Sequence, residues 1–190
     1  SQIAFRPNKG TVTFLTRAAN DKINAVYEIS LEGGEAAKLF AHTANIVSYQ
    51  WANDGEQIAF ISMEKANQPK TDLAYAPTFF EENYDLRNAY VVQVNNGKAQ
   101  QLNVKGSAYL LAWAPNSQQL AISTAPTGSV DDSYMKQTIY VVDAAGKNVT
   151  ATINHQGKLG QFVWSPDNKN IAIVGAYDLN DPTDGSLAIV

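Results

Sequence analysis

One ten-residue pattern occurs four times in this chain and constrains its fold more than any other feature. The copies align without gaps: Phe5-Arg-Pro-Asn-Lys-Gly-Thr-Val-Thr-Phe14, Trp51-Ala-Asn-Asp-Gly-Glu-Gln-Ile-Ala-Phe60, Trp113-Ala-Pro-Asn-Ser-Gln-Gln-Leu-Ala-Ile122 and Trp164-Ser-Pro-Asp-Asn-Lys-Asn-Ile-Ala-Ile173. Each has an aromatic residue, a polar turn, then an apolar, a small and a large apolar residue. Successive copies start 46, 62 and 51 residues apart. Pro presets φ for turn entry, and Asn or Asp bonds the nearby backbone, so each copy reads as two short strands about a tight turn. Asp54-Gly55 is the strongest hairpin signal of the set.

A third apolar run follows in each unit: Ala25–Ile29, Ala89–Val94, Ile139–Asp143 and Leu187–Val190. Gly-containing turns then lead to a weaker fourth run ending near Leu39, Leu102 and Ile153. Four short antiparallel strands (a to d) per unit of about 45 residues are the signature of a β-propeller blade. The expected fold is therefore all-β. It is a propeller of about four blades of four antiparallel strands, over residues 1–44, 45–105, 106–157 and 158–190, forming a single segment. A β-sandwich would not explain four gap-free copies. The fourth blade stops after strand c, so the ring is expected to be incomplete and the chain to be part of a larger protein. Ser1 in place of an initiator Met fits a missing N-terminal piece.

Composition excludes several classes. At 190 residues and 45% hydrophobic the chain can bury a core, and 17% charged residues argue against disorder. A net charge of -4 disfavours nucleic acid, which needs clustered Lys and Arg. No apolar run approaches the roughly 20 residues that span a bilayer. There is no cysteine for disulfides, thiolate metal sites or nucleophiles.

The repeat resembles the Trp-Ser-Pro-Asp-Gly-x-x-Ile-Ala-Phe unit of TolB-type propellers and of prolyl oligopeptidase-family propellers. Trp164 to Ile173 matches best; Asn53 replaces Pro in the second copy, and the Phe5 copy is the poorest. The long insertion in blade two, from Met63 to Asn88, and its end at Glu81-Glu82-Asn83 are similar to dipeptidyl-peptidase and acylaminoacyl-peptidase propellers. The resemblance implies a separate α/β-hydrolase domain carrying a Ser-Asp-His triad. Its Gly-x-Ser-x-Gly mark does not occur here, so this chain alone is expected to have no catalytic residues. The resemblance also implies that paired propeller glutamates, here Glu81 and Glu82, hold a substrate's free amino terminus; the competing reading is a solvated acidic insertion.

Other candidates have simpler readings. His42 and His155 each lie nine residues before a repeat Trp, at equivalent positions of nonadjacent blades. A loop-anchoring hydrogen bond is the expectation, not a shared metal site. Phe5, Trp51, Trp113 and Trp164 read as structural residues between blades. Asp178 to Gly185 is acidic enough for calcium but lacks EF-hand spacing and reads as a polar loop. Asn148-Val-Thr150 is a formal glycosylation site. No cofactor or metal is implied.

The b–c loops, residues 17–24, 63–88, 125–137 and 175–185, hold 11 of the 18 acidic residues and 6 of the 14 basic ones. All should emerge on one face of the disc, with a net charge of −5, against +1 elsewhere. Such asymmetry can steer a cationic ligand or dock a complementary domain.

The leading expectation is a noncatalytic N-terminal propeller segment of a prolyl oligopeptidase-family serine peptidase. It would gate access of short peptides and dock on the catalytic α/β-hydrolase domain. The alternative is a TolB-type or surface propeller that binds a protein partner. A propeller lyase or glycosidase using acidic loop residues is a third reading. Peptide substrate and hydrolase domain are the expected partners, with self-association through open blade edges. An extracytoplasmic location is the expectation from the family.

Overall fold

The computed structural model describes residues 2–18, 20–66, 72, 74–75, 83–183 and 185–190. The described residues form fifteen strands and one short helix, in four sheets taken up in chain order. Sheet 1 holds β1 (Ile3–Phe5), β2 (Thr11–Thr16), β3 (Ala25–Ser30) and β4 (Ala37–Phe40). Sheet 2 holds β5 (Asn45–Trp51), β6 (Gln57–Glu64), β7 (Leu86–Gln93) and β8 (Ala99–Gln101). Sheet 3 holds β9 (Ser107–Trp113), β10 (Gln119–Ala125), β11 (Thr138–Asp143) and β12 (Val149–Asn154), with α1 (Val130–Met135) between β10 and β11. Sheet 4 holds β13 (Leu159–Trp164), β14 (Ile171–Gly175) and β15 (Ser186–Ile189). Every adjacent strand pair is antiparallel and sequential. The fold is a β-propeller whose ring is open among the described residues: apolar clusters join sheets 1 and 2, 2 and 3, and 3 and 4, and none joins 4 to 1.

Burial follows position in the stack. In β6, Ile58 to Ser62 are all buried, because sheet 2 is covered on both faces and its strand can be apolar throughout. In β14, Ile173 is buried while Val174 is exposed, because sheet 4 is covered on one face. Each sheet has a front face toward the preceding sheet and a back face toward the following one. The front of sheet 2 packs Tyr49, Trp51, Ile58 and Phe60 on Leu15 and Val26 at the back of sheet 1. The front of sheet 3 packs Trp113, Leu120 and Ile122 on Ala59, Ile61 and Val91. The front of sheet 4 packs Phe162, Trp164 and Ile173 on Ala121, Ile139 and Val141.

The repeat aromatics lie in these joints. Trp113 Nε1 donates to the Gln50 carbonyl at 3.2 Å, and Trp164 Nε1 to the Ala112 carbonyl at 2.9 Å. Each acceptor is the residue just before the previous repeat aromatic. In the first joint the equivalent carbonyl is that of Ala4, and Thr13 intervenes: Trp51 Nε1 donates to Thr13 Oγ1 at 2.9 Å, and that hydroxyl bonds the Ala4 carbonyl at 3.1 Å. Phe5, at the front of sheet 1, is exposed.

The a–b turns form a second line of contacts on the opposite side from the long loops. Asn8 Nδ2 donates to the Asn53 carbonyl, Asn53 Nδ2 to the Pro115 carbonyl, and the Asn116 amide to Asn168 Oδ1. Asparagines at three different positions of the turn therefore tie neighbouring turns together. Gly55 has φ +72°, and a Cβ there would come within 2.2 Å of the Pro7 carbonyl oxygen. Both the left-handed backbone and the close approach of the sheet 1 turn require glycine.

Candidate functional site: the long-loop face

The b–c and d–a connections emerge at one end of all four sheets, as antiparallel meanders require. In blade one, Asp21 accepts from Tyr27 Oη at 2.6 Å and pairs with Lys38. The Lys38 and Tyr27 contacts hold the Asp21 carboxyl below its usual range, and the bond to Asp21 pushes the Tyr27 phenol up. Asn24, on the same loop, takes Asn45 Oδ1 on its amide and so links blade one to the start of blade two.

The base of the blade-two insertion is the most structured part of this face. Tyr90 Oη donates to Glu64 Oε1, across β6 and β7. Burial, then the bond to Glu64, pushes the Tyr90 phenol well above its usual value. The Ala66 amide donates to Asp85 Oδ1 at 3.1 Å and draws the two ends of the insertion together. The His42 ring lies 4.5 Å from the Tyr90 ring and 5.2 Å from the Phe60 ring, between centroids. Burial holds its pKa below the ordinary imidazole value, opposed by the charge of Glu64. His42 Nε2 is buried and has no hydrogen-bond partner among the described residues. His42 thus departs from the expected loop anchor: its ring fills an apolar slot between aromatics. His155 does act as an anchor, with Nε2 3.2 Å from the Lys158 carbonyl oxygen.

The insertion leans on blade three. A Cβ at Gly128 would lie 2.8 Å from Tyr84 Cβ and 2.9 Å from the Asp85 carbonyl oxygen, so the two loops touch. The Arg87 guanidinium sits 4.9 Å from the Tyr109 ring centroid. The blade-three b–c connection, residues 125–137, contains the helix α1, where the repeat implies only a loop. Its signal is Ser129 three residues before Asp132: Ser129 Oγ accepts from the Asp132 amide at 3.1 Å as an N-cap. Asp132 also accepts from Thr127 Oγ1 at 2.7 Å and pairs with Lys136 at 2.8 Å, which lowers its pKa. A cavity of about 320 Å³ opens here beside Lys105, Thr124, Lys136, Thr138 and Tyr140, so cationic groups interrupt the acidic face. A second hollow of about 210 Å³ lies along the innermost strands, lined by Gln2, Ser48, Gln50 and Tyr109.

The two expected amine-binding residues, Glu81 and Glu82, lie outside the described residues, as does Asp184. In the blade-four loop, Asp178 Oδ1 accepts from the Asn180 amide at 2.7 Å, closing an ordinary turn. Among the described residues no three His, Asp or Glu side chains converge as a metal site. The His42–Tyr90–Glu64 cluster was not foreseen, because its members come from a d–a connection and two strands. The face offers carboxylates to a cation or a basic surface.

No family model matches the chain, and no curated protein matches it. Solved structures do. Hydrazine synthase of Kuenenia stuttgartiensis aligns with a TM-score of 0.63 and 12% identity, over 99% of this chain and 57% of that one. The β-propeller domain of the Trilobed protease from Pyrococcus furiosus, described as having an open velcro topology, aligns at 0.59 and 15% identity, over 99% and 56%. A eukaryotic initiation factor aligns at 0.54 and 15%, over 92% and 37%. The chain thus spans little more than half the length of the first two. At these identities the likeness shows the propeller fold alone, and such different proteins share it.

Proposed function

We propose that the chain is the noncatalytic propeller segment of a prolyl oligopeptidase-family serine peptidase, covering an α/β-hydrolase domain and restricting entry to short peptides. The observation that carries this reading is the built base of the blade-two insertion. Glu64 and Asp85 fix the two ends of a loop that carries Glu81 and Glu82 and leans on blade three. Paired carboxylates are suited to a peptide's free ammonium group. The likeness to a protease's propeller domain is compatible with this reading.

A second reading, a TolB-type or surface propeller that binds a protein, is favoured by the exposed Val130, Tyr134 and Tyr177 on the loops of blades three and four. Exposed aromatics of this kind enrich protein interfaces. The reading frame on either side of these 190 residues separates the two. The peptidase reading expects an α/β-hydrolase domain with Gly-x-Ser-x-Gly in the same frame. An export signal with a closed set of similar blades and no hydrolase domain would replace it with the second reading.

A further inference from the structure

The cavity beside Lys105 and Lys136 is lined by donors that the fold leaves unused. It lies on the front of sheet 3: register sets Thr138 opposite Thr124 and Tyr140 opposite Ile122, which is buried against sheet 2. Sheets 2 and 3 each have four strands and are packed on both faces, so this joint is complete within the chain. The cavity walls are fixed. Thr124 Oγ1 donates to the Lys105 carbonyl at 2.7 Å and fastens the connection from β8 to β9 onto β10. Gly106 has φ +91°, and a Cβ there would lie 2.2 Å from the Ala125 carbonyl oxygen, so glycine is what lets the connection come this close. Lys136 is held by Asp132 at 2.8 Å, and Asp132 in turn by Thr127 Oγ1 at 2.7 Å.

Of the lining residues, Lys105, Thr138 and Tyr140 carry an ammonium and two hydroxyls with no hydrogen-bond or ion-pair partner among the described residues. The volume of about 320 Å³ falls within the range of small-ligand sites. Donors without acceptors suit an anion. The local charge sets its valence. Asp132 offsets Lys136, which leaves the Lys105 ammonium uncompensated. The exposed Asp131, which acts on Lys136 through space, adds negative potential and disfavours a dianion. Pro126 also lines the cavity, and with the Tyr140 ring it offers apolar surface to a carbon chain. We propose that this cavity binds a small organic monocarboxylate, its carboxylate on Lys105, Thr138 and Tyr140, with Lys136 as a second cation shared with Asp132. The inference rests on the cavity and holds without the peptidase reading.

Titration of the intact protein, isotope-labelled at lysine and tyrosine and followed by NMR, tests it with N-acetylalanine as the probe. The amide resonances of Lys105, Lys136 and Tyr140 should shift together and saturate with a Kd of about 1 mM. The uncharged N-acetylalanine amide should leave them in place. Lys105→Gln and Tyr140→Phe, which keep the side-chain length and the ring, should each weaken binding about fivefold. Lys98→Gln, at an exposed position on the turn between β7 and β8, should leave it unchanged. No saturation up to about 20 mM, equal shifts with the uncharged amide, or binding that survives both cavity variants unchanged overturns the proposal. Inorganic phosphate that displaces N-acetylalanine at a lower concentration than N-acetylalanine itself needs overturns the assignment to a monocarboxylate.

Discussion

Thr13 lies inside the first joint, and three groups depend on its hydroxyl. Thr13 is fully buried; it meets Trp51 Nε1 at 2.9 Å, Tyr49 Oη at 3.0 Å and the Ala4 carbonyl at 3.1 Å. A hydroxyl has one proton and two lone pairs, so donating to Ala4 and accepting from both aromatics uses all of them. Thr13→Val keeps the shape and leaves two buried donors unpaired. It should destabilise the fold by about 1–3 kcal/mol, measured as a lower urea midpoint at unchanged m-value. Adding Tyr49→Phe should recover part of the loss, since one orphaned donor disappears. A change within experimental error in the single variant would remove the hub role. In the repeat, this position reads only as the small residue, aligned with Ala59, Ala121 and Ala172. Its polar role was not legible, because its aromatic partners lie 36 and 38 residues away in the next blade. His42 shows the same limit: its spacing to Trp51 located it, but the rings around it come from β6 and β7.

Strands were more legible than loops because alternation and turn residues act over a few positions, whereas loop structure depends on neighbours. The a, b and c strands fall on the apolar runs read from the repeat. The helix α1 did not show itself: six residues give too little periodicity, and only its cap is local. The tryptophans link the two levels, since each belongs to one strand and bonds to another sheet. Trp113 lies in the joint between sheets 2 and 3: its indole N–H donates to the Gln50 carbonyl and its backbone amide donates to Gln50 Oε1 at 3.1 Å. Trp113→Phe retains most of the ring packing and removes the indole bond. It should cost about 1 kcal/mol, well below the 3–5 kcal/mol typical of Trp→Ala in a core. Paired melts of Trp113→Phe and Trp113→Ala check this ordering. Equal losses in the two would mean that the indole bond, and not the ring, dominates the joint.

At the scale of the molecule the sheets form a line of nearest-neighbour contacts, closer to a repeat array than to a single globular core. Sheets 2 and 3 are packed on both faces, and sheets 1 and 4 on one. Sheet 4 also has three strands among the described residues, and β15 is exposed along most of its length. Opening sheet 4 therefore breaks one joint, whereas opening sheet 3 breaks two. The four sheets were legible from the four copies of the repeat. The one-sided charge was only partly so, because Lys105 and Lys136 meet at a cavity on the same side as the acidic loops. Local stability should follow the joints: in native-state hydrogen exchange, amides of β6, β7, β10 and β11 should be the slowest, and those of β14 and β15 should exchange through smaller openings. The expected gradient is independent of the acidic loops and persists at high salt, because the joints are apolar. Uniform protection across all four sheets at low concentration would show that the molecule opens as one cooperative unit.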